Sequence, residues 1–168
     1  MAIHYREETA DDQRAIHQVN TAAFGQPAEG NLVDLLRNDG LVVVSYVAIS
    51  SDTIVGHILF SELPIETKQG TIPAVALAPM AVLPQYQRQG IGSELVRRGL
   101  DICRERGQQA VIVLGHPDYY PRFGFSPQLA KRISSPFSGE AFMALELVAG
   151  VLENVQGQVT YPPPFFSV

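Results

Sequence analysis

The chain has 168 residues, of which 46% are hydrophobic and 17% are charged, so it can bury a sizeable core and does not have the composition of a disordered protein. Its 12 Lys and Arg and 17 Asp and Glu residues give a net charge of −5, which argues against a basic surface for nucleic acid. This length is typical of one domain, and we expect a single domain over residues 1–168.

Cysteines, histidines and apolar runs indicate the class of protein. Cys103 is the only cysteine, so neither an intramolecular disulfide nor a CxxC pair can form. The histidines are scattered without the spacing of metal ligands, and we expect no metal. The longest apolar run, Ala74–Leu83, is about half a membrane span and contains Pro79. No signal peptide is evident at the start of the chain. We therefore expect a cytoplasmic protein without membrane association.

The first half of the chain is predicted to contain a strand, two helices and a hairpin. Ile3–Arg6 predicts the first strand, and Thr9 starts a capping box before the first helix. A second apolar helical pattern ends at Gly40. Leu41–Ile49 and Ile54–Glu62 are rich in β-branched residues and are joined by a polar turn, which predicts two antiparallel strands.

The second half is predicted to contain four strands and one long helix. Ile72–Val82 predicts a long strand, residues 90–106 an amphipathic helix, and Ala110–Leu114 a buried strand of the parallel type. Ala141–Val148 and Gln156–Tyr161 predict a closing hairpin. This order of elements predicts a mixed α/β fold around one central sheet.

The connection from Gln87 to Ser93, between a predicted strand and a helix, is the strongest candidate site. Gly90 and Gly92 let the backbone approach a ligand, and free N–H groups at a helix start attract phosphate. No GxxxxGK(S/T) string is present, and Leu95 stands where a dinucleotide-binding fingerprint has its third glycine. The two glycines alone are equally typical of a helix start that serves only packing.

Two motifs in register make the chain resemble the GCN5-related N-acetyltransferase (GNAT) superfamily. Gln87–Gly92 matches the fixed positions of the pattern Q/R-x-x-G-x-G/A, after a strand that ends at Val82. Residues 115–125 read Gly-His-Pro-Asp-Tyr-Tyr-Pro-Arg-Phe-Gly-Phe and resemble the GxPxYYxRFGF segment of a subgroup of bacterial predicted acetyltransferases. The order of strands and helices also agrees over nearly the whole chain.

The resemblance implies a fold and a cosubstrate. The fold is a mixed central sheet of about seven strands flanked by helices, which splays between its fourth and fifth strands, here Ile72–Val82 and Ala110–Leu114. Acetyl-CoA enters this gap, its pantetheine arm pairs with the end of the fourth strand, and its pyrophosphate lies on backbone N–H groups of the loop. The cofactor-binding residues that this implies are Met80, Ala81, Val82, Gln87, Arg88, Gln89, Gly90, Ile91, Gly92 and Ser93.

The resemblance also implies a reaction, the direct transfer of an acetyl group to a primary amine of a small molecule or protein. Tyr120 aligns with the tyrosine that protonates the leaving thiolate in several family members, although a packing role is the alternative. Tyr119 is expected to face the core or the opposite side. The general base is left open between Glu29, Asp34, Glu62 and a water chain.

Several residues and properties carry weaker expectations. His57 is expected to be structural, Cys103 to be a small core residue, and His116 to stand where the subgroup often has an acidic residue. The family's members often dimerise through late strands, so a homodimer is compatible with the resemblance. A non-catalytic acetyl-CoA sensor with the same fold is the alternative function, and the acceptor amine is not identified by any motif.

Overall fold

The computed structural model describes residues 2–137 and 139–168. The strands in this part of the chain are β1 (His4–Glu7), β2 (Val42–Ser50), β3 (Thr53–Glu62), β4 (Ile65–Thr67), β5 (Gly70–Ile72), β6 (Ala74–Val82), β7 (Ala110–Leu114), β8 (Ile133–Ser134), β9 (Phe142–Glu146) and β10 (Gly157–Gln158). The α-helices are α1 (Gln13–Phe24), α2 (Ala28–Asn38), α3 (Ile91–Glu105) and α4 (Pro127–Ala130).

The main sheet has the strand order β1-β2-β3-β6-β7-β9. β6 and β7 are parallel, and the other neighbours are antiparallel. The predicted mixed sheet flanked by helices is therefore confirmed, with six strands in the described residues. The predicted hairpin of β2 and β3 is confirmed as well.

A second, small sheet has the order β5-β4-β10-β8 and was not predicted. The expected strand Ile72–Val82 is divided at Pro73, so that β5 pairs with β4 and β6 starts in the main sheet. The predicted closing hairpin is wrong, because β9 joins β7 and β10 joins β4 and β8. Phe142–Leu145 of β9 are buried on both faces, as a strand between two layers requires, whereas β10 is partly exposed.

The capping box predicted at Thr9 positions the start of α1. The Thr9 N–H donates to the Asp12 carboxylate (2.7 Å), and Arg6 pairs with the same group (2.6 Å). These hydrogen bonds, chiefly the one from Arg6, lower the pKa of Asp12 to about 2. Gly25 adopts a φ of 70° and ends the helix.

Three clusters of buried hydrophobic side chains pack on the two faces of the main sheet. α3 covers one face, chiefly over β2 and β3, and Leu95, Val96 and Cys103 are buried there in a core that extends to β6 and β7. On the opposite face, α1 and α2 cover β2 and β3, and the second sheet covers β6, β7 and β9. Cys103 is a core residue, as expected, and burial raises the pKa of its thiol to about 12.

The main sheet opens between β6 and β7. Their pairing runs from Ala74 and Ala110 to Leu77 and Val113, and the rest of β6 has no register with β7 among the described residues. On its other side, β6 spans three residue steps from Met80 to Leu77 where β3 spans two, so β6 contains a bulge. A bulge bends its strand, and the predicted splay is present between these two strands.

Candidate active site

A cleft of about 420 Å³ lies where β6 and β7 separate. Leu77 and Tyr120 line it and belong to the core on the α3 face, while Ala76 and Ile112 line it and belong to the core on the opposite face. The cleft therefore passes through the sheet and connects its two faces.

Backbone N–H groups that are available to a ligand lie near one end of β6, in the connection to α3. The N–H groups of residues 88–93 have no hydrogen-bond partner among the described residues, and the next N–H, of Glu94, bonds to the Gly90 carbonyl (3.0 Å). Positive φ angles at Arg88 (64°) and Gly90 (85°) turn this backbone. Such a run of free amides at the start of a helix is suited to bind an anion.

Side chains in this loop have roles that differ from residue to residue. The Gln87 side-chain amide donates to the Val82 carbonyl at the end of β6 (2.9 Å), so it ties the loop to the strand. The Ile91 side chain is buried in the core, which leaves only its backbone for a ligand. Arg88 and Gln89 are exposed.

Gly92 lies against the side chains of the cleft. A Cβ at this position would stand 3.2 Å from Sδ and Cε of Met80 and 3.6 Å from the Tyr119 hydroxyl. Met80 lines the cleft with its side chain, whereas Ala81 and Val82 are buried. A larger residue in place of Gly92 would have to displace Met80.

Tyr120 lines the cleft and is almost fully buried. Its ring covers Gly115, where a Cβ would lie 2.4 Å from the ring, and meets Phe125 edge to face at 5.7 Å. No described residue is hydrogen-bonded to its hydroxyl. Burial, followed by the influence of Tyr119, raises the pKa of this phenol to about 12, so the hydroxyl keeps its proton at neutral pH.

Tyr119 packs against the core on the α3 face, which is one of the two expected placements, and it also lines the cleft. Residues Tyr120–Phe123 form a 3-10 turn, and the Tyr119 hydroxyl lies 2.9 Å from Ser93 Oγ. Arg122 donates to the Tyr119 carbonyl (2.8 Å) and stacks on its ring at 4.5 Å. Tyr119 therefore connects the turn Tyr120–Phe123 to the first turn of α3.

Glu29 is the base candidate that the fold brings to the cleft. It lies in α2, is half-buried, and accepts hydrogen bonds from the Gln26 side-chain amide (3.1 and 3.2 Å). His116 is exposed and also lines the cleft.

The other two carboxylate candidates do not line the cleft. Asp34 pairs with His17 (2.9 Å) and Arg37 (3.0 Å), which occupies its carboxylate. Glu62 is exposed at the end of β3. Both side chains are thus separated from the other candidate site residues.

His57 is fully buried in β3 and forms a polar network away from the cleft. Its Nδ1 accepts from the Asn20 amide (3.2 Å), and its Nε2 lies 2.9 Å from Ser45 Oγ. Ser45 in turn donates to Glu8 (2.7 Å), which Arg37 also contacts. Burial lowers the pKa of His57 to about 3. The expected structural role fits these contacts.

No group of three or more His, Cys, Asp or Glu side chains in the described residues could hold a metal ion. None of the helices in the described part of the chain has the length and apolar character that crossing a membrane requires.

Comparisons with known sequences identify relatives of the chain. Residues 4–128 match the family model described as "Acetyltransferase (GNAT) domain". YhbS of Escherichia coli K12, named an uncharacterized N-acetyltransferase, is 34% identical over 165 residues, which are 95% of this chain and 96% of YhbS. YjhQ of the same strain, also named an uncharacterized N-acetyltransferase, is 41% identical over 118 residues, or 69% of this chain and 65% of YjhQ.

Solved structures agree with the sequence relatives. The structure of E. coli YhbS in complex with CoA has a TM-score of 0.88 and 33% identity, and the match covers 98% of this chain and 92% of that one. A GNAT family acetyltransferase from Brucella melitensis in complex with acetyl-CoA has a TM-score of 0.80 and 32% identity, with 98% of each chain covered. The predicted resemblance is confirmed, and the chain belongs to the GNAT family of N-acetyltransferases.

Proposed function

We propose that residues 1–168 form one acetyltransferase domain, which moves the acetyl group of acetyl-CoA to a primary amine in a ternary complex. The observation that carries this proposal is the cleft through the main sheet, with a run of free backbone amides beside it. The CoA complex of YhbS and the acetyl-CoA complex of the Brucella relative support the choice of cosubstrate.

The residues beside the cleft fit the parts of acetyl-CoA. The free N–H groups of residues 88–93 suit a pyrophosphate, since they carry the partial positive charge of a helix start. Met80–Val82 have lost their pairing with β7, so this edge of β6 is available to an extended pantetheine arm. Gly92 keeps the space between these two regions open.

Acetyl-CoA supplies the acetyl group as a thioester, which an unprotonated amine can attack directly. The chain then has to bind and orient the two reactants, and orientation alone accounts for a large part of such rate enhancements. The Tyr120 hydroxyl holds a proton beside the cleft, where we propose that it donates to the departing sulfur. Its raised pKa favours a hydrogen bond to the thiolate over complete proton transfer.

Calorimetric titration with acetyl-CoA tests the proposed binding site. Gly92→Val should weaken binding by at least about tenfold, because the branched side chain displaces Met80 and crowds the loop. Gly92→Ala is the matched control, since its single methyl group requires only a small shift of the flexible Met80 side chain. An unchanged affinity in Gly92→Val, with a folded protein, would contradict this placement of the cosubstrate.

The alternative function, a non-catalytic acetyl-CoA sensor, shares the binding site but not the turnover. Release of free CoA in the presence of an amine separates the two, because a sensor binds acetyl-CoA without consuming it. A cytoplasmic location and a homodimer are further predictions made from the sequence.

A further inference from the structure

The half of the cleft opposite α3 has an aromatic wall, formed by Phe137, Tyr161 and Phe165. The ring of Tyr161 meets Phe137 at 5.1 Å and Phe165 at 5.0 Å, in both cases edge to face. Phe24 of α1 and Leu32 of α2 line the cleft as well, and Phe165 also packs against the hydrophobic cluster that contains Leu32. This half of the cleft therefore presents mostly apolar surface to an acceptor.

The cleft has one carboxylate, that of Glu29, and one histidine, His116, among its described lining residues. Neither Lys nor Arg is present among the described residues that line it. The Glu29 carboxylate is hydrogen-bonded to a neutral amide, that of Gln26, and forms no ion pair with the described residues. A buried or half-buried carboxylate without a cation is a favourable partner for an ammonium group.

Apolar surface continues outside the cleft. Phe24 and Leu114 line the cleft and remain 42% and 48% exposed, and they are two of the five large hydrophobic side chains that are exposed among the described residues. Exposed apolar groups that adjoin a cavity are typical of a binding site for an apolar ligand.

We propose that the acceptor is a monoamine on an aromatic or comparably apolar body, with its ammonium group at Glu29 and its ring against the aromatic wall. This inference rests on the proposed acetyltransferase function and narrows the substrate class of the same site. The ammonium form predominates at neutral pH, so Glu29 draws the amine into the cleft as a cation. The amine gives one proton to solvent and its nitrogen attacks the thioester carbonyl. As the C–N bond forms, the C–S bond breaks, the nitrogen gives a second proton to solvent, and CoA leaves as the thiolate.

The same chemistry disfavours other classes of amine. The carboxylate of a free amino acid would approach Glu29 without a Lys or Arg to pair with, since none lines the described part of the cleft. The additional ammonium groups of polyamines and aminoglycosides would lie against apolar walls, where an unpaired charge is costly.

A panel of matched amines tests the inference, with release of free CoA as the readout. The amines are 2-phenylethylamine, ethylamine without the ring, L-phenylalanine with an added carboxylate, and spermidine with added charges. We expect kcat/KM for 2-phenylethylamine to exceed that for each of the others by at least about tenfold, the effect of burying one aromatic ring. Equal or better use of spermidine or L-phenylalanine would overturn the inference.

Two variants locate the specificity within the cleft. Phe24→Ala should reduce kcat/KM for 2-phenylethylamine at least about fivefold while sparing ethylamine, a difference that general destabilisation would not produce. Phe166→Ala is its control, because Phe166 is 60% exposed and does not line the cleft.

Glu29→Gln should raise KM for 2-phenylethylamine and leave the acetyl-CoA Kd unchanged, whereas Glu105→Gln, at an exposed position of α3, should change neither.

Calorimetry with acetyl-CoA distinguishes failure of the inference from failure of the proposed function. If acetyl-CoA does not bind, the proposed function fails and the inference falls with it. If it binds and another class of amine is acetylated, the function stands and the inference is overturned. If it binds and no amine in the panel releases CoA, the inference is also overturned and the sensor alternative gains support.

Discussion

Two adjacent tyrosines reach the same cleft with different hydroxyl environments. The Tyr119 hydroxyl is 2.9 Å from Ser93 Oγ in the first turn of α3, whereas the Tyr120 hydroxyl has no hydrogen-bond partner among the described residues. A proton donor has to be free to turn towards the reacting atoms. The two side chains should therefore contribute to different steps, Tyr119 to cosubstrate binding and Tyr120 to the departure of the thiolate.

Phenylalanine substitutions separate these roles. Tyr120→Phe should reduce kcat by about 10- to 1,000-fold, with little change in the acetyl-CoA Kd, because the ring and its packing on Gly115 remain. Tyr119→Phe, the matched control, should weaken acetyl-CoA binding by about two- to tenfold through loss of one hydrogen bond and leave kcat near that of the wild type. Steady-state kinetics and calorimetry measure both quantities. Wild-type turnover in Tyr120→Phe would make Tyr120 a packing residue.

The connection between β6 and α3 is held by a side-chain hydrogen bond as well as by backbone hydrogen bonds. Gln87 donates to the Val82 carbonyl, and this contact sets the distance between the end of β6 and the free amides of residues 88–93. Because β6 and the loop bind different parts of acetyl-CoA in the proposed function, their spacing should affect affinity. We therefore predict that Gln87 is a positioning residue for the cosubstrate.

Removing the donor of Gln87 tests this positioning. Gln87→Met has a similar length without the N–H group, and we expect a loss of affinity for acetyl-CoA of about two- to tenfold, the value of one hydrogen bond. Gln89→Met is the control, since Gln89 is exposed and its only described contact is long, at 3.5 Å. Equal affinities of the two variants in calorimetry would show that the tie to Val82 does not matter for binding.

Elements that depend on neighbouring residues could be predicted from the sequence, and elements that depend on distant pairing could not. The loop from Gln87 to Ser93 is contiguous, so the anion binding proposed for it can be predicted from a sequence motif. The division of the strand at Pro73 and the placement of β10 beside β4 follow from tertiary pairing, which local apolar patterns do not encode. The aromatic wall could not be predicted for the same reason, because Phe137 is distant in the chain from Tyr161 and Phe165.

At the scale of the whole molecule, a buried histidine couples the fold to pH. His57 is held between α1 and β2 by Asn20 and Ser45, and its position in the interior excludes water. Burial is the main cause that lowers its pKa from 6.5 to about 3, while Glu8 and Arg37 act on it in opposite directions. The folded protein thus keeps a neutral imidazole under conditions in which the unfolded chain binds a proton.

This difference in pKa predicts that the free energy of unfolding begins to fall at a pH well above the range in which carboxylates titrate. Below pH 6.5 the unfolded state takes up a proton that the folded state accepts only near pH 3, so the free energy of unfolding falls as the pH falls between these values. One such group lowers it by about 2 kcal/mol between about pH 7 and pH 5. Urea unfolding at both values, compared between the wild type and His57→Gln, isolates the contribution, because glutamine does not titrate. If the wild type and His57→Gln lose the same free energy of unfolding between pH 7 and pH 5, His57 is not the group responsible. If the variant does not fold, NMR of the wild type replaces it as the test. A shift of the His57 imidazole signals between pH 7 and pH 5 would then refute a neutral, buried side chain.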